Sequence, residues 1–115
     1  MRNNHEESFE RLNHILNAVD SIESYTDGVQ EPSFSMDPML IDAVLFQFTV
    51  IGEAIKHVES EKLKKYDYPW HKVQAFRNFI AHEYFEINTF AVWTTIKNDL
   101  PHLKSVVKTI LKNEF

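Results

Sequence analysis

Asp37-Pro38-Met39-Leu40-Ile41-Asp42-Ala43-Val44-Leu45-Phe46-Gln47-Phe48-Thr49-Val50-Ile51-Gly52-Glu53-Ala54-Ile55-Lys56-His57-Val58 declares a helix in its first two residues and its surroundings in the rest. The Asp37 side chain suits an N-cap, where it accepts a bond from the unpaired N–H groups of a first turn. Pro38 suits the first helical position because it has no N–H to leave unsatisfied. Leu40, Ala43, Val44, Val50, Ile51, Ala54, Ile55 and Val58 then follow helical spacing, with Gln47 as the polar exception. Phe46 and Phe48 widen this stripe, so the helix is expected to be buried on more than one side.

Three further helical stretches flank it. Across residues 5–25, Phe9, Leu12, Ile15, Leu16, Val19, Ile22 and Tyr25 recur every three or four residues, one apolar stripe of an amphipathic helix. Thr26-Asp27-Gly28 stops that helix, and the polar stretch through Glu31-Pro32-Ser33 reads as a loop. A third helix begins near Tyr68-Pro69-Trp70 and runs toward Phe85. The fourth opens on Asn88 as cap and carries Phe90, Val92, Trp93, Ile96, Leu100, Leu103, Val106, Val107, Ile110 and Leu111. Pro101 interrupts its hydrogen-bond ladder, by a kink or by a fresh helix capped by Asp99. Long helices with short connections give an all-α, antiparallel four-helix bundle, its last helix kinked or broken at Pro101. With no repeats or linkers, residues 1–115 read as one domain.

Composition narrows the functions. Only Gly28 and Gly52 are glycine, too few for a hairpin-rich β fold. The absence of cysteine excludes a disulfide scaffold, a thiolate nucleophile and a zinc–thiolate site. No apolar run approaches the roughly 20 residues of a membrane span, and Met1-Arg2-Asn3-Asn4-His5-Glu6-Glu7 is polar where a signal peptide is apolar. A cytoplasmic location without membrane contact is the expectation. The net charge of −5 is unevenly spread: residues 1–55 hold two basic and ten acidic side chains, residues 56–115 ten basic and seven acidic. This is either a set of solvated helix faces or a basic working surface beside an acidic one that meets another partner.

Arg77-Asn78-Phe79-Ile80-Ala81-His82-Glu83-Tyr84 concentrates polar functional groups in the most aromatic part of the chain. On an unbroken helix Arg77 and Tyr84 share a face, whereas His82, five residues from Arg77, lies about 140° around the axis. Two arrangements bring Arg77 and His82 to one atom. Either the helix ends or unwinds near His82, or a second copy of the chain supplies the partner residue across a symmetric dimer. Arginine offers a planar, permanently charged fork for phosphate oxygens, and histidine exchanges protons near neutral pH. No carboxylate or histidine cluster with metal-ligand spacing accompanies them. The chemistry they suit is metal-independent cleavage of RNA: histidine moves the proton of the 2′-OH or the leaving oxygen, and arginine stabilises charge growing on phosphorus. No cofactor is called for.

Arginine, a polar residue, three more residues, histidine, one residue and tyrosine resemble the signature of the HEPN superfamily, and in particular its HepT-like ribonuclease toxins. Asp37-Pro38, Ile51-Gly52-Glu53-Ala54 with Lys56-His57, Pro69-Trp70, Val92-Trp93 and Asp99-Leu100-Pro101 are similar to further landmarks of that family, and the similarity runs from about residue 7 to residue 111. The resemblance implies an all-helical HEPN-like homodimer whose two motif copies face each other across a cleft. It implies a metal-independent endoribonuclease, the toxin of a type VII toxin–antitoxin pair. Its partners would be an RNA substrate and a minimal nucleotidyltransferase antitoxin that silences it by transferring AMP from ATP to the motif tyrosine. By carry-over Arg77 and His82 are the catalytic pair, Asn78 assists, and Tyr84 is the AMPylation site.

Plainer roles stand beside these. Arg77 can pair with an acidic residue of the N-terminal half, His82 can cap its own helix end, and Tyr84 can be a packing residue. Glu53 is either a residue of the same cleft or a glutamate beside a close helix crossing at Gly52. His57, His71 and His102 are expected at the surface. Phe76, Phe79, Phe85, Phe90 and Trp93 are expected in core and dimer contacts rather than in a base-stacking platform. Two other function classes stay open: a non-catalytic helical partner that binds substrate for a nucleotidyltransferase, and an interaction protein acting through its acidic half.

Overall fold

A computed structural model of the chain describes residues 3–115; Met1 and Arg2, which enter the charge balance and the polar leader, lie outside the described residues. Four helices dominate: α1 (Asn4–Thr26), α3 (Pro38–Ile55), α5 (Trp70–His82) and α7 (Leu100–Glu114). Shorter helices α2 (Glu31–Ser35), α4 (Ser60–Leu63) and α6 (Thr89–Thr94) lie between them, and no strand forms among the described residues. The fold is all-α, as expected.

Contacts between remote residues fix the helix directions. Ser8 at the start of α1 bonds to Glu59, just beyond the end of α3, so these two run antiparallel. Phe115 stacks on His5 and Phe9, while Lys104 pairs with Asp20 and Glu23, so α7 runs antiparallel to α1. Tyr84 reaches Asp42 near the start of α3 and Arg77 reaches Glu53 near its end, so α5 runs antiparallel to α3.

The core is built from the expected stripes, except that Phe9 and Tyr25 of the first and Phe90 of the fourth are exposed. Leu12, Ile15, Val19 and Ile22 of α1 meet Val44, Ile51 and Ile55 of α3 and Leu100, Val107 and Ile110 of α7, all essentially removed from water. α3 packs against both α1 and α5, which is why its apolar residues cover more than one face, but of the two phenylalanines expected to widen its stripe only Phe48 is buried and Phe46 is exposed. By length and apolar composition Pro38–Ile55 would also pass for a membrane-spanning segment, contrary to the reading that no run comes close. Here it is a central helix of the bundle.

Local signals act largely as expected. Asp37 accepts from the Leu40 N–H and Asn88 from the Ala91 N–H. Gly28 follows α1 with φ 73°, left-handed backbone that suits glycine. One reading needs correction, and of the two alternatives at Pro101 the fresh helix capped by Asp99 does not form. Glu31-Pro32-Ser33 is not a loop but the opening of α2, with Pro32 in its first turn, and this short helix seats the fully buried Phe34 against Trp93. At Pro101 there is neither a capped fresh start nor an end to the helix. The backbone widens into a π turn over Thr95–Asp99, with the Leu100 N–H donating to the Thr95 carbonyl, and passes directly into α7. The Asp99 side chain makes no capping bond. A wider turn ahead of the proline accommodates the missing donor without stopping the helix.

Candidate active site

The site begins where α3 and α5 cross. A Cβ at Gly52 would stand 2.3 Å from the Cβ of Arg77, 2.8 Å from its Cγ and 3.2 Å from the Val73 carbonyl oxygen. The glycine therefore lets the Arg77 stem lie directly on the α3 backbone. Beyond that contact an Nη of Arg77 is 3.4 Å from Glu53 Oε2, and the other donates to Asn78 Oδ1 at 3.3 Å. Both readings offered for Glu53 meet here: it flanks a close helix crossing and shares a hollow with Arg77. That hollow, about 310 Å³, is also lined by Arg11 and His14 of α1. Arg77 thus does pair with an acidic residue of the N-terminal half. Its Nε and Glu53 Oε2 are nonetheless shielded and without a hydrogen-bond partner among the described residues, so the pair is electrostatic and leaves donor capacity on the fork.

Glu53 is held in its charged form. Lys56 above all keeps its carboxyl below the usual range, desolvation opposes this, and Arg77 and His57 add to the lowering. His57 bridges Glu53 and Glu7 at 3.6 and 3.7 Å. His57, His71 and His102 are exposed as expected, His102 lying edge-on to Tyr68.

α5 stays helical through His82, which is exposed and makes no hydrogen bond or ion pair among the described residues. It does not cap its own helix end; the Glu83 N–H closes that end on the Phe79 carbonyl. Because the helix is unbroken between them, Arg77 and His82 remain about 140° apart around the axis and about 7.5 Å apart along it.

Tyr84 departs from the expected position. The helix ends at His82, and Tyr84 lies in a 3-10 turn, Tyr84–Glu86, so it does not share a helical face with Arg77. Its hydroxyl donates to Asp42, and this hydrogen bond, helped by burial and by the Asp42 charge, raises the phenol above its ordinary pKa. Asp42 and Glu53 are the only charged residues of α3, eleven residues or three turns apart on one face. They anchor Tyr84 and Arg77 at points about 16 Å apart along that helix.

The aromatic set divides. Phe76 packs edge-on to Phe48 and Trp93 against Phe34, both joining the core, while Phe79, Phe85 and Phe90 are 43%, 97% and 63% exposed. Sequence reasoning missed Asp42, Arg11 and His14. Asp42 and Glu53 at three-turn spacing on an otherwise uncharged helix were the available signal for the first.

An all-α bundle presenting an arginine, an asparagine and an exposed histidine on one helix, followed by a tyrosine, defines a class that comparison with known proteins identifies. Residues 15–110 match the family model described as ribonuclease HepT-like, and the chain belongs to that family. It is 35% identical over 102 residues to a Methanocaldococcus jannaschii protein named as a gamma-glutamylcyclotransferase and candidate RNase, covering 88% of this chain but only 46% of that relative. A candidate RNase of Caldanaerobacter subterraneus is 34% identical, with 90% of this chain and 93% of the relative covered. A candidate ribonuclease HepT of Thermococcus cleftensis is 28% identical, with coverage of 88% and 93%. No solved structure matches the chain.

Proposed function

We propose that this chain is a metal-independent endoribonuclease, the toxin of a type VII toxin–antitoxin pair, acting in the cytoplasm as a homodimer. Arg77 stabilises the phosphorane, His82 moves the proton and Asn78 assists. The observation that carries this reading is the continuous α5 helix, which fixes Arg77 on Gly52 and leaves His82 exposed and uncommitted on another side of the axis. Since one helix cannot aim both side chains at one phosphate, a second copy supplies the complement. The exposed Phe79, Phe85 and Phe90 beside the motif offer it apolar surface.

Its regulation follows from Tyr84, two residues beyond His82 and 41% exposed, within reach of another enzyme. A nucleotidyltransferase antitoxin places AMP there, and the bulk and negative charge of that group beside His82 exclude an RNA phosphate. The 16 Å spacing along α3 indicates that the modified tyrosine acts on the histidine end of the site rather than on its own Arg77.

RNA cleavage by the unmodified protein is the test. Arg77→Ala and His82→Ala should each lower the rate on the order of a hundred-fold or more with the fold intact, and cleavage should persist in a chelator. An unmodified wild-type chain that cleaves no RNA would instead indicate a binding partner without activity of its own.

A further inference from the structure

Asp42 and Tyr84 lie 42 residues apart in the chain and meet side chain to side chain, the hydroxyl donating to Asp42 Oδ1. We propose that Asp42 orients the Tyr84 hydroxyl and accepts its proton when a nucleotidyl group is transferred to that oxygen. The inference rests on the reading of Tyr84 as the AMPylated residue and adds a base, contributed by the target itself, to that reaction.

Position supports it first. Tyr84 sits in a three-residue turn that buries none of its residues and has no side-chain cap, so the turn alone does little to hold the phenol. Its hydrogen bond ties the hydroxyl to α3, which is anchored in the core by Val44, Leu45, Phe48 and Ile51. A fixed hydroxyl whose ring remains partly exposed is arranged for attack on a group delivered from outside the fold. Asp42 is itself exposed, and among the described residues it forms no ion pair and its side chain bonds Tyr84 alone.

The step balances without further reagents. Tyr84 Oη attacks the α-phosphorus of a nucleoside triphosphate held by the transferring enzyme. The Oη–P bond forms as the bond from that phosphorus to the bridging oxygen breaks, and pyrophosphate leaves with the electron pair. The phenolic proton passes to Asp42 Oδ1 and from there to water. In the resting protein the proton stays on the phenol, a much weaker acid than a carboxylic acid. As the oxygen commits its electrons to phosphorus it becomes acidic, and transfer to the carboxylate turns favourable at that moment.

The full chain, with a minimal nucleotidyltransferase of the antitoxin type and magnesium ATP, provides the test. The AMP mass increase at Tyr84 is followed over time across the neutral and alkaline range. Asp42→Asn still accepts the hydrogen bond and cannot take the proton. It should be modified on the order of a hundred-fold more slowly, with a rate that climbs with pH where the wild type is flat. Asp42→Glu should recover part of the rate, and Tyr84→Phe should gain no mass. Equal rates and equal pH profiles for wild type and Asp42→Asn overturn the proposal while leaving Tyr84 as the target. A wild-type chain that gains no AMP on Tyr84 overturns the underlying reading, and the proposal with it.

Discussion

Helices α5 and α7 are close in length, 13 and 15 residues, and are built on opposite plans. α7 drives Leu100, Leu103, Val107 and Ile110 into the core. α5 buries Ile80 alone, with Trp70, Val73 and Phe76 partly covered, and turns Asn78, Phe79 and His82 outward. One helix is held by a stripe of its own, the other by a few partly covered side chains and a close crossing over Gly52 of α3. Burial of apolar area is what stabilises such a bundle, so stability is concentrated in α1, α3 and α7 and in the buried Phe34 of α2, while the groups suited to chemistry ride on an element that buries less. Substitutions in the two regions should therefore separate cleanly into those that unfold and those that inactivate.

The strongest challenge to that separation is Phe34→Ala. Its ring is fully buried against Trp93 although α2 has only five residues, and its loss should cost about 3–5 kcal/mol. Thermal unfolding would show a drop on the order of ten degrees or more. If the melting temperature barely moves, stability is not where burial places it. Gly52→Ala comes next and is the one change expected to strike both regions, because a methyl group there meets the Arg77 stem. A cost of about 1–3 kcal/mol in denaturant unfolding should accompany loss of RNA cleavage as α5 is pushed away.

Ser8→Ala is a smaller probe of the stable side. The hydroxyl is fully buried, accepts from the Glu59 N–H at 2.9 Å and donates to its carboxylate. About 1 kcal/mol should be lost in the same unfolding measurement, with cleavage unaffected. At the other extreme, Phe85→Ser should change stability by less than about 0.5 kcal/mol, since that ring is almost wholly exposed. Light scattering should nevertheless show weaker self-association. A dimer of unchanged strength would put the interface elsewhere.

Legibility in the sequence follows the range of the interactions involved. The caps at Asp37 and Asn88 and the stop at Gly28 act within a few residues, and each could be read from its neighbours. So could the stripes of α1, α3 and α7, which repeat long enough to establish a period. α2 could not: five residues hold less than two turns, and a proline with two serines looks like a loop until Phe34 is seen to have a core to enter. The octet from Arg77 to Tyr84 stood out by its chemistry. The break after His82 stood only as one of two alternatives, because no glycine or proline marks it, and with the break went the alignment of Tyr84 with Arg77 expected of an unbroken helix. Asp42 and the hollow shared with Arg11 and His14 are tertiary facts, joining residues whose spacing in the chain carries no local signal.

The π turn before Pro101 governs helical phase as well as hydrogen bonding. Val92, Ile96 and Leu100 are all buried and follow one another at four-residue intervals. In a regular α-helix each interval of four overshoots a full turn by about 40°, so two in succession would carry Leu100 about 80° away from the line of Val92. A turn with more residues per revolution takes up that drift and delivers Leu100, and with it Leu103, Val107 and Ile110, back to the side facing α1. Thr95–Asp99 thus works as a vernier between the two parts of one continuous helix, setting the angle at which the last fifteen helical residues meet the core.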